Sequence, residues 1–178
     1  MLTAYEARRL LRYEPRTGNL VWLHRAPSTF STERAAKIWS AQYPGKVAGC
    51  AHKSSGYWHI KIKKTQYQAH RLVWLIVHGR WPVGEIDHIN GNKTDNRIAN
   101  LRDVSHAENG KNLMLSKRNN SGAVGVSFYS PRNKWVAKIT VDSREIHLGY
   151  FEKKSDAIAA RSSACRDYGF HENHGRPA

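Results

Sequence analysis

The chain has 178 residues, enough for one domain or two small ones, and its 40% hydrophobic fraction excludes a disordered tail. Lys and Arg number 29 against 14 Asp and Glu, a formal charge of +15, spread as 9 basic and 3 acidic groups in residues 1–60, 9 and 5 in 61–115, and 11 and 6 in 116–178. A basic excess in every third points to a polyanion laid along the whole length, with nucleic acid the leading partner. Cys50 and Cys165 are the only cysteines and form no Cys-x-x-Cys pair, which argues against a disulfide framework and a structural zinc site. No apolar run reaches the roughly 18 residues of a membrane span, and the Met1 to Glu6 start lacks a secretory pattern. A cytoplasmic protein with no membrane partner is expected.

Thr3-Ala4-Tyr5-Glu6 reads as a capping box that opens a short helix through Leu10 and Leu11, and a turn over Pro15 to Asn19 ends it. Leu20 to Leu23 is a strand candidate, and residues 24–44 show no clear period and read as loop. Gly45 to Tyr67 alternates as strands with turns, Trp58, Ile60 and Ile62 on one face and Tyr57, His59 and Lys61 on the other. Lys61, Lys63 and Lys64 are candidate phosphate contacts, or equally a solvated strand edge. His70 to His78 reads as an apolar helix with Leu72, Leu75 and Ile76 facing a core and Gly79 ending it.

The segment 86–112 is dense in Asp, His and Asn, more than a packed core needs, and Ser105-His106-Ala107-Glu108 is a second capping box that places Asn109 in the first turns of a helix. Ile89 to Asn96 is rich in turn residues, so strand, loop, strand, helix is the simplest organisation. Ser116 to Gly122 has no apolar residue and reads as a domain boundary. Beyond it come three strand-like runs, Val124 to Tyr129, Lys134 to Val141 and Arg144 to Phe151. A helix over Asp156 to Tyr168 follows, capped by Ser155, closed by Gly169, and sharing Ala157, Ala160, Ala164 and Tyr168 on one face.

Asp-His-Ile-Asn-Gly-Asn at 87–92, Asn-Leu-Arg at 100–102 and Glu-Asn-Gly-Lys-Asn at 108–112 resemble the HNH nucleases, in particular the HNH endonucleases of phages and self-splicing introns. The likeness extends upstream through His70 to Trp74 and, more loosely, Tyr13 to Gly18. It implies a ββα-metal fold with Asp87 a metal ligand, His88 the general base, Asn100 the brace that orients that base, and Asn109 the second ligand. These residue types agree with the roles: Asp and Asn offer hard oxygen donors for Mg²⁺ or Mn²⁺, and an imidazole accepts a proton near neutral pH. The implied reaction hydrolyses a phosphodiester to a 5′-phosphate and a 3′-hydroxyl. The bland reading makes the same Asp and Asn residues turn and cap formers; four at the family's spacing favour chemistry. Arg102, His106, Lys111 and Asn112 lie near enough in sequence to touch phosphates, though ordinary helix surface accounts for them at least as well, whereas His24, His52 and His78 show no ligand spacing.

Gly125-Val126, Lys134 to Ile139, Leu148 to Phe151 and the Ala-rich run from Ala157 to Ala164 resemble the Apetala/ethylene-response-factor DNA-binding domain. That resemblance implies a three-stranded sheet in the major groove of double-stranded DNA with a helix behind it. Alternation puts Trp135, Ala137, Ile139 and Val141 toward the helix and Val136, Lys138 and Thr140 toward DNA. The expected contact set is Ser127, Tyr129, Arg132, Lys134, Lys138, Thr140, Arg144 and His147, with Trp135 and Cys165 left to the core.

The expected fold class is α+β: a ββα-metal HNH core with a β-rich N-terminal extension, plus a three-stranded antiparallel sheet packed on one helix. The expected domains are a nuclease at 1–115 (β-rich to 69, helix and core from 70), a linker at 116–122, and a DNA-binding domain at 123–178. The expected activity is metal-dependent, site-specific DNA cleavage of the homing type by a phage- or intron-encoded protein acting in a host cell. Alternatives are a DNA-binding regulator on a non-catalytic HNH scaffold and a low-specificity nuclease. The sequence does not choose between monomer and dimer.

Overall fold

In the computed structural model, which describes residues 1–112, 114–116 and 118–176, the chain folds as two units, Met1–Val104 and Ser105–Ala178. The first opens on α1 (Ala4–Leu10), where Thr3 Oγ1 accepts from the Glu6 amide at 3.2 Å and Glu6 Oε2 accepts from the Thr3 amide at 3.0 Å. Strands β1 (Leu11–Glu14) and β2 (Asn19–Trp22) then pair antiparallel. Their turn holds Gly18 at φ 78°, with its α-carbon so close to the 96–97 backbone that a Cβ would lie 2.5 Å from the Arg97 nitrogen. Tyr13 Oη accepts from the Ile98 amide at 2.8 Å, a second tie between this hairpin and the same loop.

Residues 24–44 are not the loop their weak period predicts. A 3-10 turn at Pro27–Thr29 leads into α2 (Glu33–Gln42), with Thr32 accepting from the Ala35 amide at 3.1 Å and Glu33 pairing with Lys37 at 2.9 Å. Only Ala36 is buried on this helix, with Trp39 partly buried, so its apolar stripe is too narrow to produce a strong helical signal. Strands β3 (Cys50–Ala51), β4 (Trp58–Ile62) and β5 (Thr65–Gln68) form an antiparallel sheet in that order. Helix α3 (Ala69–His78) buries Leu72, Val73, Leu75 and Ile76, and Gly79 closes it at φ 75°.

Strand β6 (Glu85–His88) pairs antiparallel with β7 (Leu101–Val104), setting Asp87 opposite Arg102 and His88 opposite Leu101. Ile86 and Leu101 belong to the same core as Leu11, Leu20, Ile60, Leu72 and Leu75. Each such side chain stabilises by about 1.5–3 kcal/mol on burial, and the two on this hairpin fasten its polar end to the core.

The second unit begins with α4 (His106–Gly110), capped by Ser105 Oγ, which accepts from the Glu108 amide at 3.2 Å. Strands β8 (Val126–Tyr129), β9 (Lys134–Val141) and β10 (Arg144–Phe151) form an antiparallel sheet with β9 in the middle. Helix α5 (Lys154–Asp167) packs on it around Val126, Ala137 and Ala157, small residues that let helix and sheet approach closely. The helix starts earlier than the Ser155 cap predicts: Lys153 is the cap residue, and the Ser155 hydroxyl donates to Asp156 Oδ1 at 3.0 Å instead. Its buried face is Ala157, Arg161 and Ala164, while Tyr168 is exposed.

The division between units falls ahead of the polar 116–122 segment, of which Lys117 is outside the described residues. That segment is a turn: Ser121 is buried and donates to the Ala123 carbonyl at 2.9 Å, and the Gly122 amide donates to Asn119 Oδ1 at 2.6 Å. The chain after α4 is bound to the C-terminal tail, the His171 amide donating to the Lys111 carbonyl at 3.1 Å and Arg176 Nη1 to Asn112 Oδ1 at 2.8 Å. Among the described residues no helix is long and apolar enough to cross a membrane.

Candidate functional site

The end of β6 carries two polar side chains that the fold encloses, Asp87 at 7% and His88 at 4% exposure. Buried polar groups persist where they are hydrogen-bonded, and both of these are. Arg102, across the ladder, places Nε at 2.8 Å and Nη2 at 2.7 Å from Asp87 Oδ2. His88 Nε2 lies 3.1 Å from Oδ1 of the buried Asn96. With that amide oxygen as acceptor, Nε2 carries the proton and Nδ1 the lone pair.

Between the strands, the loop is held by its own side chains. Asn100 Oδ1 accepts from the Asn90 amide at 2.9 Å, and its Nδ2 donates to Asn90 Oδ1 at 3.0 Å and to the Asp95 carbonyl at 2.9 Å. The Ile89 amide donates to the Asn100 carbonyl at 2.9 Å. Asp95 accepts from Arg97 Nε at 2.7 Å and Nη2 at 2.6 Å, and this partner holds its carboxyl down at about 2. The residues that chain statistics assign to turns thus form a cross-linked cradle that fixes where Asn96 meets His88.

Two rings complete the enclosure. The His70 ring meets His88 edge-on at 5.1 Å between centroids, and Tyr57 lies 5.0 Å from His70 and 5.9 Å from His88. Burial pushes the His88 imidazole below its ordinary value, opposed by the Asn96 hydrogen bond and the Asp87 charge. Burial pushes His70 down to about 3, with the neighbouring His88 adding to the effect. Both rings are therefore neutral near pH 7, and a neutral imidazole is the form that accepts a proton.

Sequence reasoning missed Asn96, His70, Tyr57 and Asp95. Asn96 and Asp95 sit in a Thr-Asp-Asn-Arg run that reads as turn formers, and only their spacing from His88 and Asn100 marks them. His70 was legible as a polar residue on the buried face of α3.

The expected DNA contacts divide by their surroundings. Lys61 is exposed on β4, and Lys63 and Lys64 form the exposed two-residue turn before β5, with Lys63 Nζ 3.8 Å from Glu6 Oε1. Arg102 is engaged by Asp87. Asn109, on α4, donates its amide to the Ser105 carbonyl at 2.9 Å. Lys111 Nζ donates to the Tyr168 carbonyl at 3.1 Å. Asn112 is only 4% exposed and holds Arg176, which removes it from the surface on which a phosphate contact was expected.

In the second unit, the ladder puts Ser127, Tyr129, Lys134, Lys138, Thr140 and His147 on one face with Tyr150. Arg132 joins them, its guanidinium 4.6 Å above the Tyr150 ring. Arg144 pairs with Val141 and so falls on the opposite face, with Ala137 and Ile139. Val136, expected outward, is buried. Two of the lysines have acidic partners, Lys138 with Glu145 at 2.7 Å and Lys134 with Glu152 at 2.9 Å. Trp135 meets Phe128 edge-on at 5.4 Å, and Cys165 Sγ accepts from Arg161 Nη1.

Among the described residues no three His, Cys, Asp or Glu side chains converge to hold an ion.

The family described as HNH endonuclease matches residues 67–111, which span α3, the β6–β7 hairpin and α4. Protein 3.8 of Escherichia phage T7 is 35% identical to the chain over 89 residues, covering 48% of this chain and 74% of that protein. No solved structure matches. On this likeness the chain belongs to the family of phage T7 Protein 3.8, and residues 67–111 are an HNH endonuclease domain.

Proposed function

We propose that the chain is a metal-dependent, site-specific DNA endonuclease of the homing type, with His88 as general base. The observation that carries this reading is a buried neutral imidazole, oriented by Asn96 and set one residue from the Asp87 carboxylate. By its resemblance to the HNH nucleases, the segment 86–112 would form a ββα-metal core. Asp87 offers the hard carboxylate oxygen that Mg²⁺ or Mn²⁺ takes, and Arg102, which engages Oδ2, would have to share or release that oxygen for an ion to bind. Asn109 as the second ligand rests on the resemblance. A bound divalent ion would supply Lewis-acid stabilisation of charge on the phosphate and the departing oxygen.

The steps assigned to the protein are these. Asn96 holds Nε2–H of His88, so Nδ1 takes the proton of the attacking water as its oxygen bonds to phosphorus. The bond from phosphorus to the 3′ oxygen breaks and that oxygen takes a proton from a solvent water, leaving a 5′-phosphate and a 3′-hydroxyl. Asn100 keeps the loop, and with it the imidazole, in register.

The second unit is read as the recognition module, similar to the Apetala/ethylene-response-factor domain, with Tyr129, Arg132, Lys138, Thr140 and His147 facing the major groove. Residues 1–115 would carry the nuclease and 123–178 the DNA-binding domain, with Lys61, Lys63 and Lys64 adding backbone contacts. The working place is a host cell.

Incubation of supercoiled plasmid and host genomic DNA with Mg²⁺ or Mn²⁺, and with chelator, tests this reading. Nicking or linearisation only with metal, giving discrete genomic fragments, is expected. A smear would make the enzyme non-specific. Tight duplex binding with no cutting under either metal would make the hairpin a scaffold in a DNA-binding regulator.

A further inference from the structure

The run from Tyr13 to Gly18 lies outside the 67–111 match, yet the hairpin it forms ends against the loop that holds His88. Tyr13 stands on β1 opposite Leu20 of β2, and Leu11, Leu20 and Trp22 of this hairpin belong to the first unit's core. That anchoring gives the tip of the hairpin a fixed place. At the tip, Gly18 is buried at φ 78°, and a Cβ there would lie 2.5 Å from the Arg97 nitrogen and 2.6 Å from the Asn96 carbonyl carbon. Only glycine allows backbone to meet backbone so closely, in a left-handed conformation that other side chains resist.

One phenol then ties the backbone on both sides of Arg97. Tyr13 Oη accepts from the Ile98 amide at 2.8 Å and reaches the Asn96 carbonyl, more weakly, at 3.5 Å. A hydroxyl can accept and donate at once, and a phenylalanine ring can do neither. Burial raises the Tyr13 pKa, so the hydroxyl keeps its proton through the neutral range. On the far side of the same segment, Asn96 is 4% exposed and its Oδ1 lies 3.1 Å from His88 Nε2. The hairpin thus holds the Asn96 backbone while the Asn96 side chain holds the imidazole. Close-packed interiors transmit displacement, so a shift of that backbone moves the amide oxygen away from Nε2.

We infer that Tyr13 is a positioning residue for His88: its hydroxyl, with Gly18 packed beside it, fixes the Asn96–Ile98 backbone so that Asn96 keeps the imidazole in its Nε2–H tautomer. Nδ1 is then left with the lone pair that takes a proton. The consequence for cleavage rests on the reading of His88 as general base; the hold on the tautomer does not. On this account the working site extends beyond the 67–111 segment to the N-terminal hairpin.

The test uses the full chain with ¹⁵N-labelled histidine, in chelator and without DNA. Long-range ¹H–¹⁵N correlation reads the His88 tautomer, the ring being assigned by its loss in His88→Ala. The parent should show the Nε2–H form, and Tyr13→Phe should add the Nδ1–H form. Ile62→Val, a core change on β4 that lowers melting to a similar degree, should leave the ring signals as in the parent. In single-turnover cleavage with Mg²⁺, Tyr13→Phe should be about tenfold slower at unchanged duplex affinity. In an Asn96→Ala background the same change should cost less than about twofold, because it acts through Asn96. Ring signals in Tyr13→Phe identical to the parent's overturn the inference and leave the nuclease reading intact. Ring signals that move as far in Ile62→Val overturn it too, as general loosening. A Tyr13→Phe loss that multiplies in full with that of Asn96→Ala does the same, by revealing a separate route. A tautomer change in Tyr13→Phe beside a parent that cuts no DNA keeps the positioning and removes the nuclease reading.

Discussion

The polar residues of the β6–β7 hairpin and those of the β8–β10 sheet are handled in opposite ways. On the hairpin, Asp87, His88, Asn96 and Asn100 are all buried and each is held by a short hydrogen bond. On the sheet, Lys138 and Thr140 stay accessible, and Lys138 is matched to a carboxylate at the surface. Burial fixes a side chain to one geometry and shifts its proton affinity, which chemistry needs. Exposure preserves adaptability and long-range charge, which suits a surface that reads a partner.

Damage on the hairpin should therefore be severe and damage on the sheet graded. Asn100→Ala removes three side-chain hydrogen bonds and leaves the Asn90 amide without its acceptor, so destabilisation of about 2–3 kcal/mol in chemical denaturation is expected. The same change should slow cleavage about a hundredfold or more through misplacement of the loop. A neutral outcome would remove the brace role.

His70 gives a pH signature. Its folded pKa of about 3 lies below the roughly 6.5 of an unfolded histidine, so the unfolded chain alone binds the proton between these values. Stability is fully present above pH 6.5 and falls as pH drops through the window, by about 2 kcal/mol at pH 5 relative to pH 8. His70→Phe should flatten most of that slope, the remainder belonging to His88, whose pKa is also lowered. An unchanged slope would mean that His70 is not held neutral by burial.

Asn96→Ala leaves the buried His88 N–H without its acceptor, so it should cost about 1–3 kcal/mol of stability and lower the cleavage rate constant about tenfold or more without weakening DNA binding, the pattern of a lost orienting partner. Rescue by Asn96→Asp, which keeps the acceptor, would separate orientation from packing. The smallest effect belongs to the sheet. Glu145→Gln releases Lys138 from its ion pair and should tighten duplex binding about two- to threefold at low salt, converging with the parent at high salt. No change would argue that this face does not meet DNA.

The sequence was most legible where local rules suffice. Both capping boxes form as read, at Thr3 and Ser105, and the buried face of α3 follows its apolar period. Helix α2 was not legible because one buried alanine and one tryptophan make no period. At the site, Asp87 and His88 stood out through the motif, whereas the meeting of His88 with Asn96 depends on a loop closed by Asn90, Asp95 and Asn100 together. Arg102 shows the same limit: a basic residue near a nuclease motif reads as a phosphate contact, and only strand register reveals that it faces Asp87. Likewise, the alternation on β9 gives the faces of Lys138 and Ala137, but not that Val136 is covered.

The central claim is that the enclosed His88 imidazole takes the proton in DNA hydrolysis. Its most direct test is single-turnover cleavage of plasmid DNA by the parent and His88→Ala, with duplex affinity and melting measured on both proteins. Loss of about a hundred- to ten-thousandfold in cleavage is predicted, with duplex affinity retained and the protein still folded at the assay temperature by its melting curve. Cleavage by His88→Ala at the parent's rate would contradict the account.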